Sequence, residues 1–488
     1  MLISLSIFFS SLLLFIIKGF LTLDPDFGWH IRMGQLILSS GIPSTDPFSY
    51  TMAHFPFVDH SWLTDIYTSL IYSHLGLSVL AVIFGFIAIA SLWFTFPQKV
   101  NPKFKYFLLI LSVGTILPFS GIRPQVQSWL FLAILLKVIF DQRLWGKLRF
   151  WLPLFFILWA NLHGSYAIGV VTLTVVIVVK SIRLRKVNLT NLLIVLASWL
   201  STLINPYGIH LWGEVVSTLT SSNLKLNIAE WLPAFVSVNP PFIFQVCLST
   251  MLIWKFKRKF LLEELIIYFV FLFEAVSSVR QIPLWTIVAL PLTVKAGTFF
   301  YQEIQIIPQG LVRARRGLMW GLAGAVILLG IQGYFNFRDG LNETNYYPQK
   351  AVGYLQKNLP QENLFSGYNW GGYLIWKLPQ KKLFIDGRMP SWRYSSCPPD
   401  ESCNAMQDYL DIVQGKKDYR PFFAQYQIKT VLIAKPQKPT LFDRIAIFFQ
   451  KTNFDLTDKL TKDGWKKIYE DQTAVIYDKS GIYRYNSW

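Results

Sequence analysis

Asp24-Pro25-Asp26 is where residue type and spacing in this chain could do chemistry. Two carboxylates two residues apart, just after an apolar run over residues 2–20, could hold a divalent cation such as Mg or Mn, with Asp24 as a ligand. They could equally supply a general base, from Asp26 or Asp24, to an attacking hydroxyl. The plainer reading is that they favour the N-terminus of the helix predicted by WHIRMGQLIL, where negative charge is stabilised. The stretch 23–67 also holds His30, Arg32, Asp59 and His60. Within it, DPFSYT (46–51) and DHSWL (59–63) read as Asp-initiated turns and caps. That assigns Asp46 to structure and leaves Asp59 and His60 open between cap and site.

Arg123 in GIRPQ, His163 in NLHGS and Arg280 in VRQIP are the next candidates. A lone arginine between apolar runs invites a lipid phosphate or an anionic substrate group. The alternatives are snorkelling to a headgroup for Arg123 and an internal pair with Glu274 for Arg280. His163 could bind phosphate, ligate a metal or hydrogen-bond within a bundle. The chain has no HExxH, CxxC, GxSxG or Gly-rich phosphate loop.

The elements that must position these residues are set by composition. The chain is 53% hydrophobic and only 15% charged, with a mean hydropathy of +0.38; a soluble domain carries about a quarter charged residues. Apolar runs recur at 2–20, 68–96, 105–118, 126–140, 150–162, 166–180, 189–204, 241–254, 261–278, 283–298 and 318–335. They predict an α-helical polytopic membrane domain of about 11 transmembrane helices over residues 1–335. The first run lacks a basic n-region and a small-x-small cleavage site, so it reads as a retained helix.

The net charge of +18 lies mostly in short clusters between these runs: Lys99/Lys103/Lys105, Arg143/Lys147/Arg149, Lys180–Lys186, Lys255–Lys259 and Lys295 with Arg313–Arg316. They alternate with loops almost free of Lys and Arg, which predicts a cytoplasmic N-terminus and places loop 23–67 outside. No basic stripe with interleaved aromatics speaks for nucleic acid. All six histidines and every candidate above then fall near the outer side, and polar groups at membrane depth are expensive unless they line a site. Residues 336–488 are polar and read as a soluble extracytoplasmic α/β domain. A helix is predicted over 347–359, with strands in NLFSGY, KLFIDG, IKTVLIA and TAVIYD. Cys397 and Cys403 could close a disulfide there, Cys247 reads as packing, and Asn342-Glu343-Thr344 fits a glycosylation sequon.

This layout resembles the GT-C superfamily of membrane glycosyltransferases, which use polyprenyl-phosphate-linked sugars. Pro25-Asp26 is similar to the Pro-Asp that opens the first outer loop in the protein mannosyltransferase and aminoarabinose transferase branch. Asp24-Pro25 resembles the Asp-Pro of the oligosaccharyltransferase catalytic subunit. Phe27 stands where an acidic residue is usual after Pro-Asp. Nearly the whole chain also resembles a group of bacterial multi-pass proteins with DPDxxWH, DPFSYT, RPQ, NxHG, NPYG and YxWGGYL…xFIDGR. The last is Tyr368–Leu374 with Phe384–Arg388 here, and Gly28 stands where an aromatic is commoner.

The resemblance implies a plasma-membrane enzyme at the outer face. It would move a sugar from a polyprenyl-phosphate donor to a hydroxyl of a glycan, lipid or protein. Asp26 would be the base, Asp24 its assistant or a metal ligand, and Arg123, His163 and Arg280 would receive the donor phosphate. His30, Arg32, Asp59, His60 and Glu274 stand as further site candidates. Three other readings stay open: a ligase or polymerase of lipid-linked glycans, a non-catalytic transporter or cell-envelope assembly protein, and an adhesion protein using its tail.

Overall fold

The computed structural model describes residues 2–96, 102–237, 239–305, 310–338, 342–343, 345–435 and 454–479. Lys99 of the first basic cluster and Thr344 of the sequon lie outside them. Each of the eleven apolar runs contains a helix: α1 (Leu2–Leu21), α3 (Trp62–Thr95), α4 (Pro102–Ile116), α5 (Gln125–Phe140), α7 (Leu152–Leu162), α8 (Tyr166–Leu184), α9 (Leu189–Ser201), α12 (Pro240–Lys255), α13 (Leu262–Ser277), α14 (Ile282–Gln305) and α15 (Gly310–Arg338). Short helices α2 (Phe27–Ser40), α6 (Gln142–Leu148), α10 (His210–Thr220) and α11 (Ser222–Asn227) fill the connections. Among the described residues, four helical stretches are long and apolar enough to cross a membrane: 62–95, 166–184, 279–305 and 319–338. Helices such as the 11-residue α7 fall short of the ~20 residues a span wants. Gly76, at φ 77°, breaks α3 into two segments.

The tail carries α16 (Gln349–Lys357), α17 (Gly371–Lys377), α18 (Ala405–Val413), α19 (Tyr419–Gln425) and α20 (Leu456–Lys462), with strands β1 (Asn363–Ser366), β2 (Ile428–Ala434), β3 (Lys466–Glu470) and β4 (Ala474–Asp478). They form a four-stranded sheet in the order β1-β2-β4-β3. β1 and β2 run parallel with Phe365 opposite Val431, and the other pairs are antiparallel with Leu432 opposite Ile476. β4 is buried throughout, down to its terminal Asp478, whereas β3 (KKIYE) is an exposed, lysine-bearing edge that the sequence pattern does not announce.

KLFIDG is not a strand of the sheet, contrary to expectation. Its Leu383 bridges Leu364 of β1 on one side and Ser49 of the outer loop on the other. Tyr50 N–H donates to the Leu383 carbonyl at 3.1 Å, and Leu383 N–H to that of Phe48 at 2.9 Å. The backbone groups that a strand would spend on the sheet are spent on DPFSYT.

There are two cores. One fills the helical bundle around Phe84, Trp159 and Trp285. The other fills the tail around Phe365, Phe384 and Leu432, and takes in Trp29, Met33, Met52 and Phe57 from the outer loop. The loop therefore joins the tail's core, and the seam between the two cores is where the candidate residues collect.

Candidate active site

Asp26 occupies the N-cap position of α2, but its side chain makes no capping hydrogen bond. Asp26 thus caps the helix by position and charge and not by a hydrogen bond. Asp24 Oδ1 accepts the Asp26 backbone N–H at 2.9 Å, a tight local turn, and Asp24 Oδ2 lies 2.6 Å from Arg123 Nε. Arg123 also pairs through Nη2 with Glu230, whose other oxygen receives Arg280 Nη1 at 3.0 Å. The result is a chain of alternating charges, Asp24–Arg123–Glu230–Arg280, with the Arg123 side chain only 12% exposed. That burial excludes a snorkelling anchor. Arg280 pairs with Glu230, not with Glu274.

Two cavities, of about 200 and 640 Å³, adjoin these residues and share Asp24, Asp26, Arg123, Leu224, Trp231, Arg280 and Gly387 as walls. The smaller adds His30, Asp59, His60, His163 and Glu214. The larger adds Lys18, Gln332 and Asn336 from the bundle and Tyr368 and Asn369 from the tail. Arg32, bound to Gln35, and Glu274, exposed on α13, line neither. Of the candidates read from sequence, Asp24, Asp26, Arg123, His163, Arg280, His30, Asp59 and His60 converge.

Burial, and next the Asp24 carboxylate, push the Asp26 carboxyl from 3.8 up to about 6. Burial draws Arg123 down, but Asp24 and Glu230 outweigh it and hold the guanidinium protonated beyond an ordinary arginine. The same two arginines overcome the burial of Glu230 and keep it below the usual carboxylate range. His60 falls to about 3 through burial, then His30 and Arg280. Burial also holds His30 and His163 below the ordinary value, so all three imidazoles are neutral near pH 7. His163 Nδ1 lies 3.0 Å from Ser128 Oγ and accepts Ser165 N–H at 3.2 Å; its ring stacks edge-on against His60 with centroids 5.6 Å apart. His30 Nδ1 is 2.7 Å from Asp65, and Ser61 Oγ reaches both Asp59 and Asp65. Burial and the Asp65 carboxylate raise Asp59 well above its ordinary value.

The donor set does not fit a divalent ion. Both oxygens of Asp24 are engaged, one by a guanidinium, and Glu230 is held by two more cation contacts. Among the described residues no group of three His, Cys, Asp or Glu side chains could hold a metal. Arginine stands where Asp24 would need the ion.

The tail supplies one wall. A Cβ on Gly387 would overlap Asp26 Oδ1, and one on Gly372 would overlap the Pro25 carbonyl, so only glycine admits these approaches. A Cβ on Gly28 would in turn overlap the Gly372 carbonyl, which accounts for glycine there. Arg388 fastens this wall: its Nε and Nη2 donate to Asp386 at 2.8 and 2.7 Å, and Nη1 lies 2.8 Å from Asp46. Asp46 meanwhile accepts Phe48 and Ser49 N–H groups in the expected turn. The guanidinium sits among Phe48, Phe57 and Trp392. Cys397 and Cys403 form a disulfide.

Sequence reading missed Lys18, Glu230 and Glu214. EWLP was noticed only as a polar helix end, Lys18 only as part of an apolar run, and Glu214 lies in an unremarkable short helix; burial pushes its carboxyl to about 7.

No family model and no curated protein sequence matches the chain. Among solved structures, the fold is similar to that of two archaeal oligosaccharyltransferase structures. The archaeal oligosaccharyltransferase AglB from Archaeoglobus fulgidus, in complex with an inhibitory peptide and a dolichol-phosphate, is similar over 99% of this chain and 75% of that one, at a TM-score of 0.57 and 12% identity. The apo form of an oligosaccharyltransferase from the same organism is similar over 88% of this chain and 69% of that one, at 0.56 and 12%. ArnT from Cupriavidus metallidurans bound to undecaprenyl phosphate scores 0.47 at 12% identity, over 97% of each chain.

Proposed function

We propose that this chain transfers a sugar from a polyprenyl-phosphate carrier to a hydroxyl on the outer face of the membrane. In this reading residues 1–335 span the bilayer in about eleven passes from a cytoplasmic N-terminus, and residues 336–488 lie outside. The observation that carries it is the pair of cavities meeting at Asp24, Asp26, Arg123 and Arg280. A two-substrate transfer needs two seats that share one base and one cation group.

The Asp26 carboxylate takes the proton of the acceptor hydroxyl as its oxygen bonds to the anomeric carbon. The carbon–oxygen bond to the phosphate breaks, and the phosphate leaves with the electron pair. Arg123 and Arg280 stabilise that developing charge, and neutral His163 donates a hydrogen bond to it. Asp24 holds Arg123 and raises the affinity of Asp26 for the proton. A dolichol-phosphate in the similar archaeal structure supports the donor class.

The test is Asp26→Asn in proteoliposomes loaded with a polyprenyl-phosphoryl sugar, reading release of the free lipid phosphate. Release should fall at least ~10³-fold with the protein folded and inserted. Unchanged release would end the assignment.

A further inference from the structure

We propose that the larger cavity is an anion site whose cation is Lys18, and that its ligand is a phosphate carried on a membrane lipid. Lys18 is 5% exposed and lines that cavity from α1 beside Asp24 and Arg123. Among the described residues its ammonium has neither an ion pair nor a hydrogen bond. The two neighbouring arginines are already neutralised, Arg123 by Asp24 and Glu230 and Arg280 by Glu230. A buried ammonium near the end of a membrane helix is expensive unless something binds it.

Two further groups in the same cavity are in the same state. Thr22 Oγ1, just past the end of α1, is buried without a hydrogen-bond partner among the described residues. Gln332 reaches in from α15, is 8% exposed, and its side-chain amide makes no hydrogen bond among the described residues. An ammonium, a hydroxyl and an amide N–H, all lacking acceptors, make a seat for an oxyanion.

The lipid origin follows from the walls. α1 turns Phe9, Leu13 and Phe20 outward, each more than half exposed, and α15 does the same with Ile327 and Phe335, the latter also lining the cavity. An isoprenoid chain can lie along these apolar faces with its head group at Lys18. The inference deepens the transferase reading above, on which it rests for the phosphate's role, by adding Lys18 to the two arginines as the group that seats the donor's phosphate.

The experiment uses the purified full chain in lipid nanodiscs and measures binding of undecaprenyl phosphate, undecaprenol and inorganic phosphate. Wild type should bind undecaprenyl phosphate at least ~10-fold tighter than undecaprenol, and Lys18→Met should remove that preference, while Lys18→Arg stays within ~3-fold. Gln332→Leu should weaken the lipid phosphate by about 3-fold, and it stands in if Lys18→Met fails to fold. Unaltered preference in Lys18→Met, or in Gln332→Leu where the former is lost, overturns the site. Inorganic phosphate binding as tightly as the lipid overturns the lipid origin. Loss of transfer in Asp26→Asn with an unaltered preference in Lys18→Met ends this inference alone, and retained transfer in Asp26→Asn ends the function reading alone.

Discussion

Asp26 is held at about 6 by burial and by Asp24, and both consequences have a sign. A base must be deprotonated, so transfer should rise as pH passes through about 6 and level off above it. Asp24→Asn removes the neighbouring negative charge and frees Arg123, so the midpoint of this limb should move toward the ordinary carboxylate range as the rate falls. A midpoint that stays near 6 in the variant would show that Asp24 does not tune Asp26. For stability the folded-state value is the raised one. The contribution of Asp26 is therefore fully present below its unfolded value and is lost as pH climbs through about 6. Asp26→Asn should be more stable than wild type above pH 7, by about 1–2 kcal/mol once cavity water is allowed for, as read by thermal denaturation.

At the scale of elements, the outer loop and the tail are one construction. Arg388 neutralises Asp386 and Asp46 with all three side chains buried. Arg388→Met would strand two carboxylates, and breaking such a network typically costs about 3–5 kcal/mol. It should lower the unfolding midpoint and open the tail to trypsin; unaltered resistance would count against the seam. Gly387→Ala acts differently. The new methyl meets the Asp26 carboxylate, so transfer should drop by about 10–100-fold with little change in unfolding, because a displacement near 1 Å is enough to misplace a reacting group. These contacts are why KLFIDG, strand-like in composition, is no sheet strand and why glycine stands at position 387, where the carboxylate passes.

For the whole molecule, alternation of basic loops predicts the tail outside. With Cys247 replaced by serine, a cysteine at Lys466 should react with an impermeant maleimide in intact cells and one at Lys186 should not; the reverse pattern would invert the topology. The eleven helices, the strands β1, β2 and β4, the Asp46 turn and most of the converging candidates were legible in the amino-acid order. They depend on hydropathy and on turn chemistry within a few residues, and on one rule that sorts loops by side. Asp24-Pro25-Asp26 stood out for the same reason, as two charges against an apolar run. What the order could not carry was partnership. Glu230 meets Arg123 across 107 positions, Gly387 of the tail meets Asp26 of the outer loop, and Asp24 pairs with Arg123 while Lys18 makes no ion pair among the described residues. Such pairings follow from how helices and loops pack in three dimensions, where the burial of each charge decides which neighbour it needs; tertiary structure alone made that choice.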